Sequence, residues 1–152
     1  MTIGNVLLLA TAAILGLLAI GGNSVKNGGL VNSCAYAGAN LTGNHWLGIY
    51  CLNNDTAIWG YNYTWINLDN CLANNGGQLI SYENGSYSGT CSGCAISHDN
   101  TTLHLSCLCW DTNNRQQNSS IDLNTTIYDT NGAAGCFSHM GNLTWEDFPA
   151  ES

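Results

Sequence analysis

Short runs in which apolar residues recur at every second position dominate the chain from about residue 30 onward. Leu47, Ile49 and Cys51 share one face of an extended segment, as do Leu103, Leu105, Cys107 and Cys109. This is the period-two pattern of half-buried strands. Ile66, Leu68 and Leu72, and later Ile121, Leu123 and Ile127, break that period and predict a strand that ends in a short turn of helix. Asn74-Asn75-Gly76 before Gly77, and Asp129-Thr130-Asn131 before Gly132, are turn formers that predict a hairpin in each half. Each half therefore reads as three strands, a tight turn and a hairpin.

The two halves are copies of one pattern. Leu47-x-Ile49-x-Cys51 corresponds to Leu105-x-Cys107-x-Cys109, and Ile66-Asn67-Leu68 to Ile121-Asp122-Leu123, with offsets of 55 to 58 residues. Repeat one spans about 30–83 and repeat two about 84–136, giving an all-β domain over 30–136. Two segments lie outside it. Val6 to Ile20 is an uncharged apolar run that suits a secretory signal better than a membrane span, so residues 1–21 are expected to be a signal peptide. Residues 137–152 form an acidic tail with no counterpart in the repeats.

Composition narrows the function. The 152 residues contain 2 Lys plus Arg against 10 Asp plus Glu, a net charge of −8, which argues against nucleic acid and anionic membranes as partners. Charged residues make up only 8% of the chain, against roughly 25% in an average soluble protein, so Asn, Ser, Thr and Gly supply the polarity. Eight Asn-x-Ser/Thr sequons begin at Asn40, Asn54, Asn62, Asn84, Asn100, Asn118, Asn124 and Asn142. With the apolar leader they point to a eukaryotic secretory route and a secreted, extracellular glycoprotein.

All eight cysteines follow the leader, an even count that reads as four disulfides in an exported chain. Cys34 precedes Cys51, and Cys91 precedes Cys109, by nearly the same distance, so equivalent bonds would staple the first hairpin of each repeat. Opposed residues of an antiparallel hairpin share a nearly constant sum. Cys91 with Cys109 gives 200 and Cys94 with Cys107 gives 201, whereas the crossed pairing gives 198 and 203. The nested pairing keeps one register. Cys71 and Cys136 remain, and their bond would tie the two repeats together.

Catalytic and metal chemistries find little support. His45, His98, His104 and His139 lie in no nucleophile motif, and Asp122, Asp129 and Glu146-Asp147 form no recognisable acid/base pair, so the chain is not expected to be an enzyme. Cys91, Cys94, Cys107 and Cys109 with His98 and His104 imitate a zinc set, but export favours disulfides over metal. No cofactor is expected. Trp46, Trp59, Trp65, Trp110 and Trp145, with Tyr61 and Tyr63, are expected to divide between core and a surface patch.

Ser33-Cys34, Ile66-Asn67-Leu68-Asp69 and Asn74-Asn75-Gly76-Gly77 resemble the first repeat of the cyanovirin-N family. Tyr87-x-x-Thr90-Cys91 and Ser119-Ser120-Ile121-Asp122-Leu123-Asn124 are similar to its second repeat, in a fungal-type member. The resemblance implies a pseudo-symmetric, two-lobed, all-β fold in which the three-stranded sheet of each repeat is completed by the other repeat's hairpin. It also implies a lectin with one shallow site per lobe for mannose-rich oligosaccharides, acting as a monomer or a domain-swapped dimer. Carried over by position, the first site falls on Asn32, Ser33, Asn54, Asp129, Thr130 and Asn131, with Leu52 where the family has an acidic contact. The second falls on Asn74, Asn75, Ser86, Thr90, Asp111, Thr112 and Asn114, with Ala73 and Gly89 replacing acidic positions. Such amide, hydroxyl and carboxylate groups suit adjacent sugar hydroxyls. The alternative is a structural or host-interacting glycoprotein that keeps the scaffold without binding sugar.

Overall fold

The computed structural model describes residues 28–54 and 60–143. The expected signal peptide, Trp59, Trp145 and the end of the tail lie outside the described residues. Among the described residues no helix is long and apolar enough to cross a membrane.

Repeat one folds as the antiparallel strands β1 (Cys34–Thr42), β2 (Trp46–Leu52) and β3 (Tyr61–Asn67), followed by the hairpin β4 (Leu72–Asn75) and β5 (Gln78–Ser81). Repeat two follows the same order with β6 (Cys91–His98), β7 (Leu103–Trp110) and β8 (Gln116–Asp122), then β9 (Tyr128–Thr130) and β10 (Ala133–Cys136). The alternating apolar residues face inward: Leu47, Ile49 and Cys51, and likewise Leu103, Leu105 and Cys109, have no solvent exposure. In each repeat the third strand runs into one turn of 3-10 helix, Leu68–Asn70 or Leu123–Thr125. The cap is local chemistry: the side chain of Asn67 accepts from the Asp69 N–H at 2.9 Å, and that of Asp122 accepts from the Asn124 N–H at 2.9 Å.

The hairpins are exchanged. The Leu79 N–H of β5 donates to Ser119 Oγ of β8 at 2.8 Å, and the Ala134 N–H of β10 donates to Thr64 Oγ1 of β3 at 3.3 Å. Each lobe is therefore built from both repeats around one continuous core. Tyr87, fully buried, crosses between the halves and donates its hydroxyl to the Asn44 carbonyl at 2.5 Å. Burial, reinforced by Asp69, pushes its phenol far above the usual range, so it donates as a neutral group.

Four disulfides close the framework: Cys34–Cys51, Cys91–Cys109, the nested Cys94–Cys107 and the cross-repeat Cys71–Cys136. The cysteines that imitated a zinc set are all oxidised in these bonds.

The chain after Cys136 adds structure that the repeats lack. β11 (His139–Met140) pairs with β10, and β12 (Asn142–Leu143) pairs antiparallel with β3, making a four-stranded sheet β1-β2-β3-β12. The Gly141 N–H anchors this extension on the Ala134 carbonyl at 2.7 Å. The aromatic run divides by position. Tyr63 and Trp65 are buried and pack edge to face, with Tyr50 against Tyr63, whereas Tyr61 at the strand end is 48% exposed.

Candidate functional site: twin polar clusters at the two lobes

Each lobe brings three chain segments to one place: the start of a first strand, the end of the second strand, and the hairpin turn of the other repeat. The backbone scaffolding is the same in both. The Leu52 N–H donates to the Ser33 carbonyl at 2.8 Å, and the Trp110 N–H to the Thr90 carbonyl at 3.0 Å. The Gly77 N–H is received by Asn74 Oδ1 at 2.8 Å and the Gly132 N–H by Asp129 Oδ1 at 2.9 Å, so one side chain closes each turn. Both glycines have positive φ, +95° and +87°, a backbone that disfavours any side chain. A Cβ on Gly132 would sit 2.5 Å from Asn62 Nδ2, and one on Gly77 would press on Gln117 and Asp111.

In lobe one the hairpin meets the end of β2 through the Asn54 N–H, which donates to Asn131 Oδ1 at 2.7 Å. Asn131 holds a left-handed backbone at φ 53°, a conformation Asn tolerates in turns. The Asp129 carboxylate lies beside the Cys34–Cys51 disulfide. Those oxidised sulfurs leave no thiolate for a metal there. Asn53 Nδ2 donates to Asn62 Oδ1 at 2.7 Å against Gly132. This Asn53–Asn62 pair was not among the residues carried over by position. The run Asn53-Asn54 was its only sequence signal, because the Asn62 partner arrives by strand pairing. Asn32, Asn54, Thr130 and Asn131 are exposed, Ser33 and Asp129 half-buried.

In lobe two Asn74 is the hub. Its Nδ2 donates to Thr90 Oγ1 at 3.0 Å and to the Trp110 carbonyl at 2.9 Å. Asp111 holds a turn: Oδ1 accepts from the Asn113 and Arg115 N–H groups at 2.8 and 2.9 Å, and Oδ2 accepts from Gln117 Nε2 at 3.0 Å. Those bonds, the Arg115 N–H first, hold its carboxyl below the usual carboxylate range. The turn presents Thr112 beside Gly76 and leaves Asn114 exposed at φ 55°. Asn75 is exposed on the hairpin, and Ser86 reaches the cluster only indirectly, by a bridge to Ala73.

The sequons are not equivalent. Asn40, Asn54, Asn84, Asn100, Asn118 and Asn142 are exposed. Asn62 and Asn124 are half-buried with their carboxamide oxygens engaged, the latter by the Val31 N–H at 3.1 Å.

Comparison with known proteins agrees with this architecture. Residues 31–133 match the model of the CVNH domain. The fold is similar to that of the CVNH protein of Gibberella zeae, 20% identical, with a TM-score of 0.55 over 68% of this chain and 96% of that one. It is also similar to microvirin in its mannobiose complex, 17% identical, TM-score 0.58, covering 72% and 98%. A third similar fold is a variant of MoCVNH3 in complex with (N-GlcNAc)4, 15% identical, TM-score 0.60, covering 72% and 97%. No curated protein sequence matches the chain. With a family model matched across most of its described residues and both repeats in place, the chain belongs to the CVNH domain family.

Proposed function

We propose that the protein is a secreted lectin that binds mannose-rich oligosaccharides at two sites, one on each lobe, without catalysis or cofactor. The observation that carries this reading is the twofold recurrence of one arrangement: short amide and hydroxyl side chains from three segments, fixed by a side-chain-closed turn beside a disulfide. Rigid donors and acceptors at fixed spacing recognise adjacent hydroxyls with little ordering cost. Each shallow site is weak alone, and two on one rigid body gain avidity for a branched glycan that spans them. Microvirin's mannobiose and the tetrasaccharide of the MoCVNH3 variant make these the first ligands to try. Calorimetric titration of the mature protein with mannobiose should give two sites per chain. Absence of heat with mannobiose, a branched oligomannose and the N-acetylglucosamine tetrasaccharide at millimolar concentration would favour the scaffold reading instead.

The exposed sequons add a second layer to this proposal. A glycan on Asn54 would stand at the lobe-one cluster, whose turn residue Asn131 it already touches through its backbone, and one on Asn84 would stand two residues from Ser86. Protein secreted from a eukaryotic host should therefore bind less sugar than the same protein with Asn54→Gln and Asn84→Gln. Equal binding by the two would remove the idea.

A further inference from the structure

Most of the polar capacity at the lobe-two cluster is spent internally. The Asn74 carboxamide has its oxygen on the Gly77 N–H and its nitrogen on Thr90 and Trp110. The Asp111 carboxylate closes its own turn. Hydroxyl recognition there falls to Asn75, Thr112 and Asn114, and three small polar groups bury little area on a ligand.

Strand β7 alternates strictly, with Leu103, Leu105, Cys107 and Cys109 inward and Ser106, Leu108 and Trp110 outward. Trp110 is the last residue of that strand and is 46% exposed. Its backbone belongs to the cluster on both sides: its N–H lies 3.0 Å from the Thr90 carbonyl and its own carbonyl 2.9 Å from Asn74 Nδ2. The residue opposite it on β8 is Gln116, itself exposed, so the pairing sets no large apolar side chain against the indole. A half-exposed indole forgoes much of the stabilisation that burying an aromatic brings. Beside a group of hydroxyl-binding side chains it offers an amphipathic surface for the C–H face of a pyranose ring, while the neighbouring amides and hydroxyls hold the ring's edge.

At the matching place the other lobe presents Leu52 rather than an indole, with Tyr61, 48% exposed, opposite it on β3. The Leu52 N–H donates to the Ser33 carbonyl as that of Trp110 does to Thr90, so the two residues occupy equivalent places. Leu52 is 44% exposed but has no π face. We infer that Trp110 is a sugar-stacking, specificity-determining residue that gives lobe two an indole-floored pyranose site, where lobe one has Leu52 at the equivalent place. This rests on the lectin reading and assigns one of its two sites a distinct mode of recognition.

The test is a titration of the mature protein and its Trp110→Leu and Trp110→Phe variants with mannobiose and with the N-acetylglucosamine tetrasaccharide, read by two-dimensional NMR. Amides of Asn75 and Thr112 report lobe two, and those of Asn54 and Asn131 report lobe one. Trp110→Leu should weaken lobe two about tenfold and Trp110→Phe about threefold. Lobe one should be unchanged in both, which also certifies the fold. In the wild type the Trp110 indole N–H resonance should shift with saturation. Lobe-two binding that survives Trp110→Leu within twofold, or an indole resonance that stays still while Thr112 shifts, overturns the inference alone. No shift in either lobe of the wild type overturns the lectin reading and this inference with it.

Discussion

The two lobes share a backbone and differ in what fixes them and what they present. Lobe two carries two nested disulfides on its first hairpin, a hub amide at Asn74 and an exposed indole. Lobe one has a single disulfide on the equivalent hairpin, a carboxylate at Asp129 where lobe two has Asn74, and an added edge strand, β12. The turn-closing bond survives the exchange of Asn for Asp because an acceptor oxygen is all that the Gly77 or Gly132 N–H requires. What changes is donation. Asn74 ties its hairpin to Thr90 and Trp110 by donating from its amide nitrogen, a group that the carboxyl of Asp129 lacks, and in lobe one Asn131 joins the hairpin to the Asn54 N–H. Duplication thus fixes the frame while side chains at matched positions set separate chemistries.

The largest effect is expected where the two lobes are joined. Cys71–Cys136 closes 65 residues and is the one disulfide between repeats. Replacing both cysteines by Ala should cost about 4 kcal/mol by chain-entropy reasoning, measured by chemical denaturation. Removal of Cys94–Cys107 should cost clearly less, because its 13-residue separation is nested inside a loop that Cys91–Cys109 already closes. Equal costs would mean that the lobes are not held together through Cys71.

Asn74→Ala breaks three hydrogen bonds at the lobe-two hairpin and should destabilise by about 2–3 kcal/mol, with loss of sugar binding there. Asn131→Gly breaks the one bond to Asn54 without straining the left-handed backbone at φ 53° and should cost about 1 kcal/mol. Thermal melts of the pair would show the ranking, and a reversed order would refute the hub role of Asn74.

A smaller change should run the other way. Thr126 occupies in repeat two the place of Cys71 in repeat one, each donating its N–H to the carbonyl three residues earlier. It is fully buried, and its Oγ1 has no hydrogen-bond partner among the described residues. Thr126→Val keeps the shape and removes the orphan hydroxyl, so stability should rise by about 1 kcal/mol in a denaturant titration of unglycosylated protein.

The gentlest perturbation is acid. Asp111 has a lowered folded pKa, so its turn-stabilising contribution is present above the usual carboxylate value near 3.9 and is lost as pH falls through the lower folded value. Asp99 behaves alike, with its carboxyl held at about 2, chiefly by the Thr101 N–H. The amides of Asn113 and Arg115 should titrate below pH 3.9 in NMR spectra. Titration above that pH would contradict the turn-holding role.

The frame was legible in the sequence because it rests on periodicity and counting. Leu47, Ile49 and Cys51 announced a strand face, Asn-Asn-Gly and Asp-Thr-Asn before glycine announced the hairpins, and the nested pairing followed from register. β11 and β12 gave no signal, since Asn142 and Leu143 join β3 through backbone groups that any residue carries. The commitment of Asp111 and Asn74 to internal bonds was equally hidden: Asp-x-Asn and Asn-Asn-Gly read as turns and as sugar contacts with the same letters. Only the partner distances separate the two uses.

The central claim, that two lobes bind sugar independently, is tested most directly by residue-resolved NMR during titration of the unglycosylated mature protein with mannobiose. The account predicts two separate groups of shifting amides, one about Asn54 and Asp129–Asn131 and one about Asn74–Asn75 and Thr112, saturating with different affinities. Shifts confined to one continuous patch between the lobes, or a spectrum that does not change, would contradict it.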